Sequence, residues 1–247
     1  VIELFEDREA LSRAVAELFV GQARTAIADH GRFSALLAGG DTPRRTYELL
    51  AQEPLCSRVP WEQVHLFWGD ERCVPVDDPR SNAWMVKRAL LDYLSMRPEQ
   101  VHFIQCDRSP RDAAEQYEAE LRHHFAGGPP RFDLAFLGMG DDGHTASLLP
   151  GSDALAEQLH WTAVTRRSDE GFSRVTVTAP LLNQAALVLF LVAGRTKARV
   201  LRDILADTRH RPRFPAQLIR PQTGDLRWFV DREAASMLGD AGSFHGH

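Results

Sequence analysis

The sequence predicts an α/β protein built on a Rossmann-like, mostly parallel sheet with helices on both faces. Three observations carry this reading. Apolar runs at 33–38, 64–68, 132–137 and 187–192 are short enough to be buried strands. Amphipathic stretches of helical length separate most of them, the alternation expected when parallel strands are joined by crossovers. Glycine or polar residues stand at or just beyond the ends of these runs, and right-handed crossovers gather such ends on one edge of the sheet. Ligands of open α/β sheets bind at that edge.

Taken in order, residues 1–5 form a first strand. Asp7 is placed to cap a long helix to about residue 28, with Leu11, Val15, Leu18 and Phe19 on one face. The strand at 33–38 runs into Gly39-Gly40-Asp41-Thr42-Pro43 and then a helix over 44–51. Two glycines, a Thr N-cap and a Pro at the first helical position make a sharp turn. Its exposed amides and positive helix end suit a phosphate, although an ordinary β–α turn has the same look.

The strand at 64–68 ends on Gly69-Asp70-Glu71-Arg72. A structural salt-bridge cluster is the default for such a run, yet a strand-end guanidinium can grip carboxylate or phosphate oxygens in fork geometry. Asp77-Asp78-Pro79 turns the chain, and Ser81 or Asn82 starts a helix to about residue 94, with Trp84, Leu90 and Leu91 as core. A short strand at 101–104 precedes a helix opened by Ser109-Pro110, running to about residue 125 and closed by Gly127-Gly128-Pro129-Pro130.

Beyond the strand at 132–137 come strands at 161–164 and 175–178 and a small helix near Leu181. Gly194 breaks the strand at 187–192, and a helix carrying Lys197 runs to about residue 205. A short helix or turn at 214–219, a strand at 226–230 and a last helix at 232–238 complete a single domain over 1–240. The end, 241–247, reads as a flexible tail.

Of the 247 residues 44% are hydrophobic and 26% charged, ordinary proportions for a soluble globular protein. A net charge of −5 leaves no basic field to attract nucleic acid or an anionic membrane. No apolar run is long enough to cross a bilayer and no signal-peptide pattern opens the chain, so the cytoplasm is the expected location. Cys56, Cys73 and Cys106 follow no metal or redox spacing and are expected as reduced thiols. Among ten histidines, His30, His65, His102, His160 and His210 are scattered and His123-His124 are adjacent rather than at i, i+4; His245 and His247 lie in a Gly-rich end. No metal site is expected. Oligomeric state leaves little mark in the sequence, and a monomer is slightly favoured.

The loop after residue 137 carries the densest chemistry. Gly138-x-Gly140-x-x-Gly143 matches a dinucleotide fingerprint, but Pro150 and Gly151 leave barely two turns where that fingerprint needs a full helix. Asp141 and Asp142 would also repel a pyrophosphate. What remains is Asp142-Gly143-His144, an imidazole with a carboxylate to fix its tautomer, on a strand-end loop.

Four ordered blocks between Leu36 and about Leu205 resemble the 6-phosphogluconolactonases, within the glucosamine-6-phosphate isomerase/deaminase-like superfamily. Leu37-Ala38-Gly39-Gly40-Asp41-Thr42-Pro43 is similar to the family's GGSTP phosphate loop, and Trp68-Gly69-Asp70-Glu71-Arg72 with Ser81-Asn82 to its DER…SN block. The segment from Gly138 to Ser147 is similar to GMGxDGHTAS, the most specific of the four. Arg174-Val175-Thr176-Val177-Thr178 with Asn183, and Gly194-Arg195-Thr196-Lys197, resemble the closing pair.

The resemblance implies the glucosamine-6-phosphate deaminase-like fold and hydrolysis of a phosphorylated sugar lactone, without metal or organic cofactor. It implies His144 as general base, Asp142 as its orienter, and Arg72 near Asp142 or the developing charge on the substrate oxygen. Gly39, Gly40, Thr42, Arg174 and Lys197 are implied as phosphate ligands, with Asp41 in the same loop. Asp41 stands where the family has serine, and a carboxylate beside a phosphate must point away or meet a cation such as Arg44 or Arg45.

Two other readings remain. Sugar-phosphate isomerases or deaminases of the same fold usually have Tyr at Arg72 and an Ile-Ala-Phe-Asn-Glu run at Thr145-Ala146-Ser147-Leu148-Leu149. A non-catalytic sugar-phosphate-binding regulator would need an output module, and no basic recognition helix precedes Leu36.

Overall fold

The computed structural model describes residues 1–206, 212–239 and the backbone of 245–246. β1 (Ile2–Phe5) leads to α1 (Arg8–His30), whose cap Asp7 accepts the Ala10 amide at 2.8 Å. β2 (Phe33–Leu37), α2 (Asp41–Leu50), α3 (Leu55–Arg58) and β3 (Val64–Trp68) follow. Next come β4 (Asp70–Arg72), α4 (Asn82–Ala89), β5 (Val101–His102), α5 (Pro110–His124) and β6 (Leu134–Leu137). The second half holds β7 (Thr162–Arg166), β8 (Ser173–Val177), α6 (Ala179–Leu182), β9 (Leu187–Val192) and α7 (Ala198–Ala206). β10 (Asp225–Asp231) and the two-residue β11 (His245–Gly246) end it.

Among the described residues the main sheet runs β11-β1-β10-β9-β6-β2-β3-β5, every neighbouring pair parallel. β2, β6 and β9 are buried at every position, which a strand covered on both faces requires. One cover is α1, whose Phe19 meets Phe33 edge-on at 5.2 Å between ring centroids. The other is α5, where Tyr117 donates to the Trp68 carbonyl and accepts its amide, both at 2.9 Å. The architecture is the Rossmann-like parallel sheet that the alternation predicts.

Connections leave β2 toward β3 and β5 on one side and leave β6 toward β9 and β10 on the other. The strand order therefore reverses between β2 and β6. A crevice opens at the carboxyl ends of strands where their order reverses, so this pair locates the site before any side chain is considered. Above it lies a small antiparallel sheet, β4-β8-β7, tied down by a Val177 amide donating to the Gly69 carbonyl at 2.8 Å.

Several expectations need correction. Asp70, Glu71 and Arg72 form a strand instead of a loop, because β8 offers antiparallel partners for all three. α2 begins at Asp41 with Gly40 as its cap, earlier than the helix over 44–51 and without Thr42 as the cap. The helix expected to reach residue 94 stops at Ala89 and gives way to a 3-10 turn, Leu91–Tyr93. Lys197 ends a separate 3-10 turn, Arg195–Lys197, just before α7. Residues 232–238 make turns, not a helix, because the Asp231 carboxylate accepts amides from Ala234 and Gly194.

Cys73 and Cys106, expected as free thiols, are joined in a disulfide with Cα atoms 5.2 Å apart, and Cys56 is free. Residues 33 positions apart meet because β4 folds back over the end of the main sheet. The expected tail, 241–247, falls mostly outside the described residues; His245 and Gly246 pair alongside β1. Among the described residues no helix is long and apolar enough to cross a membrane.

Candidate active site

The crevice is built first from backbone. The turn from β2 into α2 presses against Asn82, the first residue of α4, so closely that a Cβ on Gly39 would stand 2.0 Å from Asn82 Oδ1. Asn82 Nδ2 in turn donates to the Asp70 carbonyl at 2.9 Å. The first turn of α2 consequently faces the cleft with amides that have no helical acceptor. Asp41 directs its side chain to solvent, 73% exposed, with Arg44 at 3.8 Å. Arg45 is engaged elsewhere, by Glu9 at 2.6 Å and Glu48 at 3.0 Å.

The Asp70-Glu71-Arg72 run divides its charges among three tasks. Buried Asp70 accepts the Ser147 hydroxyl at 2.5 Å, tying β4 to the loop after β6. Glu71 is buried and accepts the amides of Asn82 and Ala83 and the Ser81 hydroxyl, so it anchors the start of α4. Burial pushes its carboxyl upward against those hydrogen bonds. Arg72 points into the cleft, donating to the Arg80 carbonyl at 2.6 Å while its buried Nε has no partner. Arg174 lies opposite Arg72 in the β4–β8 register. Glu170 takes its Nε and NH2 at 2.8 and 2.5 Å.

The histidine loop is as tightly specified. The Gly140 amide donates to the His144 carbonyl at 2.8 Å, closing the loop on itself. A Cβ on Gly140 would stand 2.0 Å from His144 Nδ1 and 2.7 Å from Asp142 Oδ1, so only glycine lets backbone, acid and ring share this space. Asp142 Oδ1 accepts from His144 Nδ1 at 2.5 Å. A carboxylate only accepts, so Nδ1 carries the proton and Nε2 presents a lone pair. Just beyond, Ala146 holds a left-handed φ of 46° while the Ser147 amide donates to Thr176 Oγ1 at 3.1 Å. Such a conformation persists in a non-glycine residue only when its surroundings fix it.

The guanidinium on Asp142 is that of Arg167, not Arg72. Arg167 NH1 donates to Asp142 Oδ2 at 3.0 Å, leaving Oδ1 for the imidazole. Burial alone would push the Asp142 carboxyl up, but hydrogen bonds from His144 and Arg167 outweigh it and hold the group at about 2. Nothing in the sequence flags Arg167 beyond the pair Arg166-Arg167; it reaches Asp142 only because β7 joins the small sheet over the crevice.

A single cleft of about 320 Å³ receives Gly39, Gly40, Asp41 and Thr42 at one wall, and Arg72, His144, Arg174 and Lys197 at the others. Asp142 acts on it through His144. Its size lies at the small end of small-molecule sites. Lys197 Nζ sits 2.6 Å from Asp141 Oδ1, a cation already met by one acid. Arg8, the first residue of α1, also lines the cleft and comes near Gly194, just before Lys197; no local motif singles it out.

Residues 6–228 match the family model described as glucosamine-6-phosphate isomerases/6-phosphogluconolactonase. The chain is 38% identical to a 6-phosphogluconolactonase of Nostoc sp. over 96% of this chain and 98% of that one. It is 42% identical to a 6-phosphogluconolactonase of Synechocystis sp. over 86% and 88%. Among solved structures, a 6-phosphogluconolactonase from Thermotoga maritima superposes with a TM-score of 0.81 at 33% identity, covering 94% of this chain and 99% of that one. A family match over residues 6–228, which include both cleft walls, leaves one assignment: the chain belongs to the glucosamine-6-phosphate isomerases/6-phosphogluconolactonase family.

Proposed function

We propose that this chain hydrolyses 6-phospho-D-glucono-1,5-lactone to 6-phospho-D-gluconate, the second step of the oxidative pentose phosphate pathway. The observation that carries the proposal is one cleft holding two unlike ends: an acid-oriented imidazole and a helix start rich in free amides. The curated relatives' names agree with it. The loop at 145–149, where isomerases of this fold need a glutamate, holds Thr145, Ala146, Ser147, Leu148 and Leu149.

In the proposed mechanism His144 Nε2 takes a proton from water as the water oxygen bonds to the lactone carbonyl carbon. Asp142, itself held by Arg167, stabilises the imidazolium that forms. Arg72, with an unpartnered buried Nε, faces the negative charge that develops on the carbonyl oxygen. When the tetrahedral intermediate collapses, the carbon–ring-oxygen bond breaks and the imidazolium returns its proton to that oxygen. The phosphate rests on the amides of Gly40, Asp41 and Thr42, with Lys197 and Arg8 as cations, and so fixes the lactone in register with His144. Arg174, committed to Glu170, supports the reacting end from beside Arg72.

We take the chain to act as a monomer, with 1–240 as one catalytic domain. A phosphorylated substrate that does not cross bilayers unaided makes the cytoplasm the expected place of action. The direct test offers the lactone and glucosamine 6-phosphate separately, with initial rates set against a no-protein control. Acceleration of lactone opening alone is expected; acceleration of deamination alone, or tight binding with neither reaction, would contradict the assignment.

Two substitutions separate anchoring from positioning. Lys197→Ala is expected to raise KM about tenfold with kcat little changed, because the anchor binds ground and transition states alike. Unchanged KM would remove Lys197 from the phosphate site. Arg167→Ala removes a charged hydrogen bond of about 1.5 kcal/mol, discounted to the low end because the pair is partly exposed. At about 1.4 kcal/mol per tenfold, kcat should fall roughly tenfold with KM preserved. The loss should vanish when Asp142 is already asparagine; a full additional loss in that background would show that Arg167 acts by another route.

A further inference from the structure

We propose that His65, His102 and His124 form a binding site for one divalent transition-metal ion of the zinc class, on the sheet edge opposite the catalytic cleft. Far apart in the chain, these three side chains converge because His65 lies near the start of β3, His102 ends β5 and His124 ends α5. Each offers one ring nitrogen, and these nitrogens lie within 4.8 Å of one another. In tetrahedral zinc sites with metal–nitrogen bonds of about 2.0–2.1 Å, ligand nitrogens stand about 3.3–3.4 Å apart. His65 Nδ1 and His102 Nε2 are 3.1 Å apart in a hydrogen bond that an ion would replace, with His65 giving up the Nδ1 proton and the rings turning to face the metal.

The surroundings resemble the outer shell of a metal site. Glu120 Oε1 accepts from His102 Nδ1 at 2.6 Å, which fixes the tautomer and aims the Nε2 lone pair inward, toward His65. A carboxylate behind a ligating imidazole is the usual second partner of such a ring. Glu120 and His124 sit one turn apart on α5 and so share a face. Ser34 Oγ lies 2.8 Å from His124 Nε2, and Phe67 stacks on His102 at 4.0 Å, which together hold the rings in place. Arg32 and Arg97 add positive charge nearby, and Glu120, hydrogen-bonded to His102, would offset part of a bound cation's charge.

Three imidazoles with an open fourth position favour zinc, and also take copper, nickel or cobalt. The cleft lies beyond the carboxyl ends of the strands, at Gly69 after β3, whereas His65 is at the other end of that strand. A bound ion would clip β5, an edge strand of two residues, to β3 and α5 and so stabilise the fold without entering hydrolysis.

The test uses the full chain with His245→Ala and His247→Ala in every sample, so that the terminal histidines contribute nothing. Zinc uptake is measured at neutral pH in competition with a chromophoric chelator. One ion per chain is expected, lost by at least about 10²-fold in His65→Gln and His124→Gln. Affinity should weaken about 10–100-fold in Glu120→Gln, with lactone turnover unchanged. X-ray absorption of the zinc-loaded parent should report three nitrogens at about 2.0–2.1 Å, a readout that does not depend on how the variants fold. No stoichiometric uptake, uptake that survives both histidine substitutions, or a coordination shell dominated by oxygen would overturn the proposal.

Discussion

His144→Ala should lower kcat for the phosphorylated lactone by about 10²–10⁴-fold, the usual contribution of a positioned general base. The case rests on geometry. Nδ1 is committed to Asp142 at 2.5 Å, so Nε2 is the nitrogen left to accept a proton from water. Alanine leaves the glycine loop and the helix start in place, so KM should move little. The Gly140–His144 closure is between backbone groups and survives the change, which keeps the comparison clean. Spontaneous lactone opening sets a floor, and initial rates must be corrected for it. A loss below about tenfold in a variant with parental circular dichroism would remove His144 from the chemistry.

Gly140→Ala is expected to lower kcat by about 10²-fold or more although no reacting side chain is replaced. An added Cβ would overlap the His144 ring at 2.0 Å and crowd Asp142 at 2.7 Å. The ring cannot yield without leaving its acid, and misplacement of a catalytic group by about 1 Å is enough for a loss of this size. Packing strain of about 1–3 kcal/mol should also lower Tm by a few degrees. The two readouts separate local from global damage: Tm measured by calorimetry, and kcat measured well below that temperature. Near-parental kcat would mean that the acid–imidazole contact is dispensable.

Much of the fold was legible because buried parallel strands carry a local signature. The apolar runs that become β2, β3, β6 and β9 need both faces covered, and their composition says so. Loops were legible where glycine is forced by close approach, as at Gly39 and Gly140. What escaped depends on partners distant in sequence. Asp70, Glu71 and Arg72 extend only because β8 pairs with them, and the turns after Asp231 replace a helix because one carboxylate collects two amides.

The site follows the same division. The sequence points to the residues of the cleft walls from Gly39 to Thr42 and around His144, since each wall is a contiguous loop. Arg167 and Arg8 were not legible: one reaches Asp142 from the small sheet and the other opens the first helix, neither inside a recognisable motif. Arg72 was expected beside Asp142 or beside the developing charge on the substrate oxygen; Arg167 takes the place on Asp142, and β4 carries Arg72 toward Arg80 and the cleft. Histidines scattered along the chain gather into a triad for an equally non-local reason, since a strand start, an edge strand and a helix end meet only in the fold.

The central claim is that one cleft grips the phosphate at the start of α2 while His144 meets the carbonyl carbon. A crystal structure of the chain with 6-phosphogluconate tests it most directly. The phosphate should lie on the amides of Gly40, Asp41 and Thr42 beside Lys197, with the product carboxylate within about 3 Å of His144 Nε2. A product bound the other way round, phosphate at His144 and carboxylate at the glycines, would contradict it.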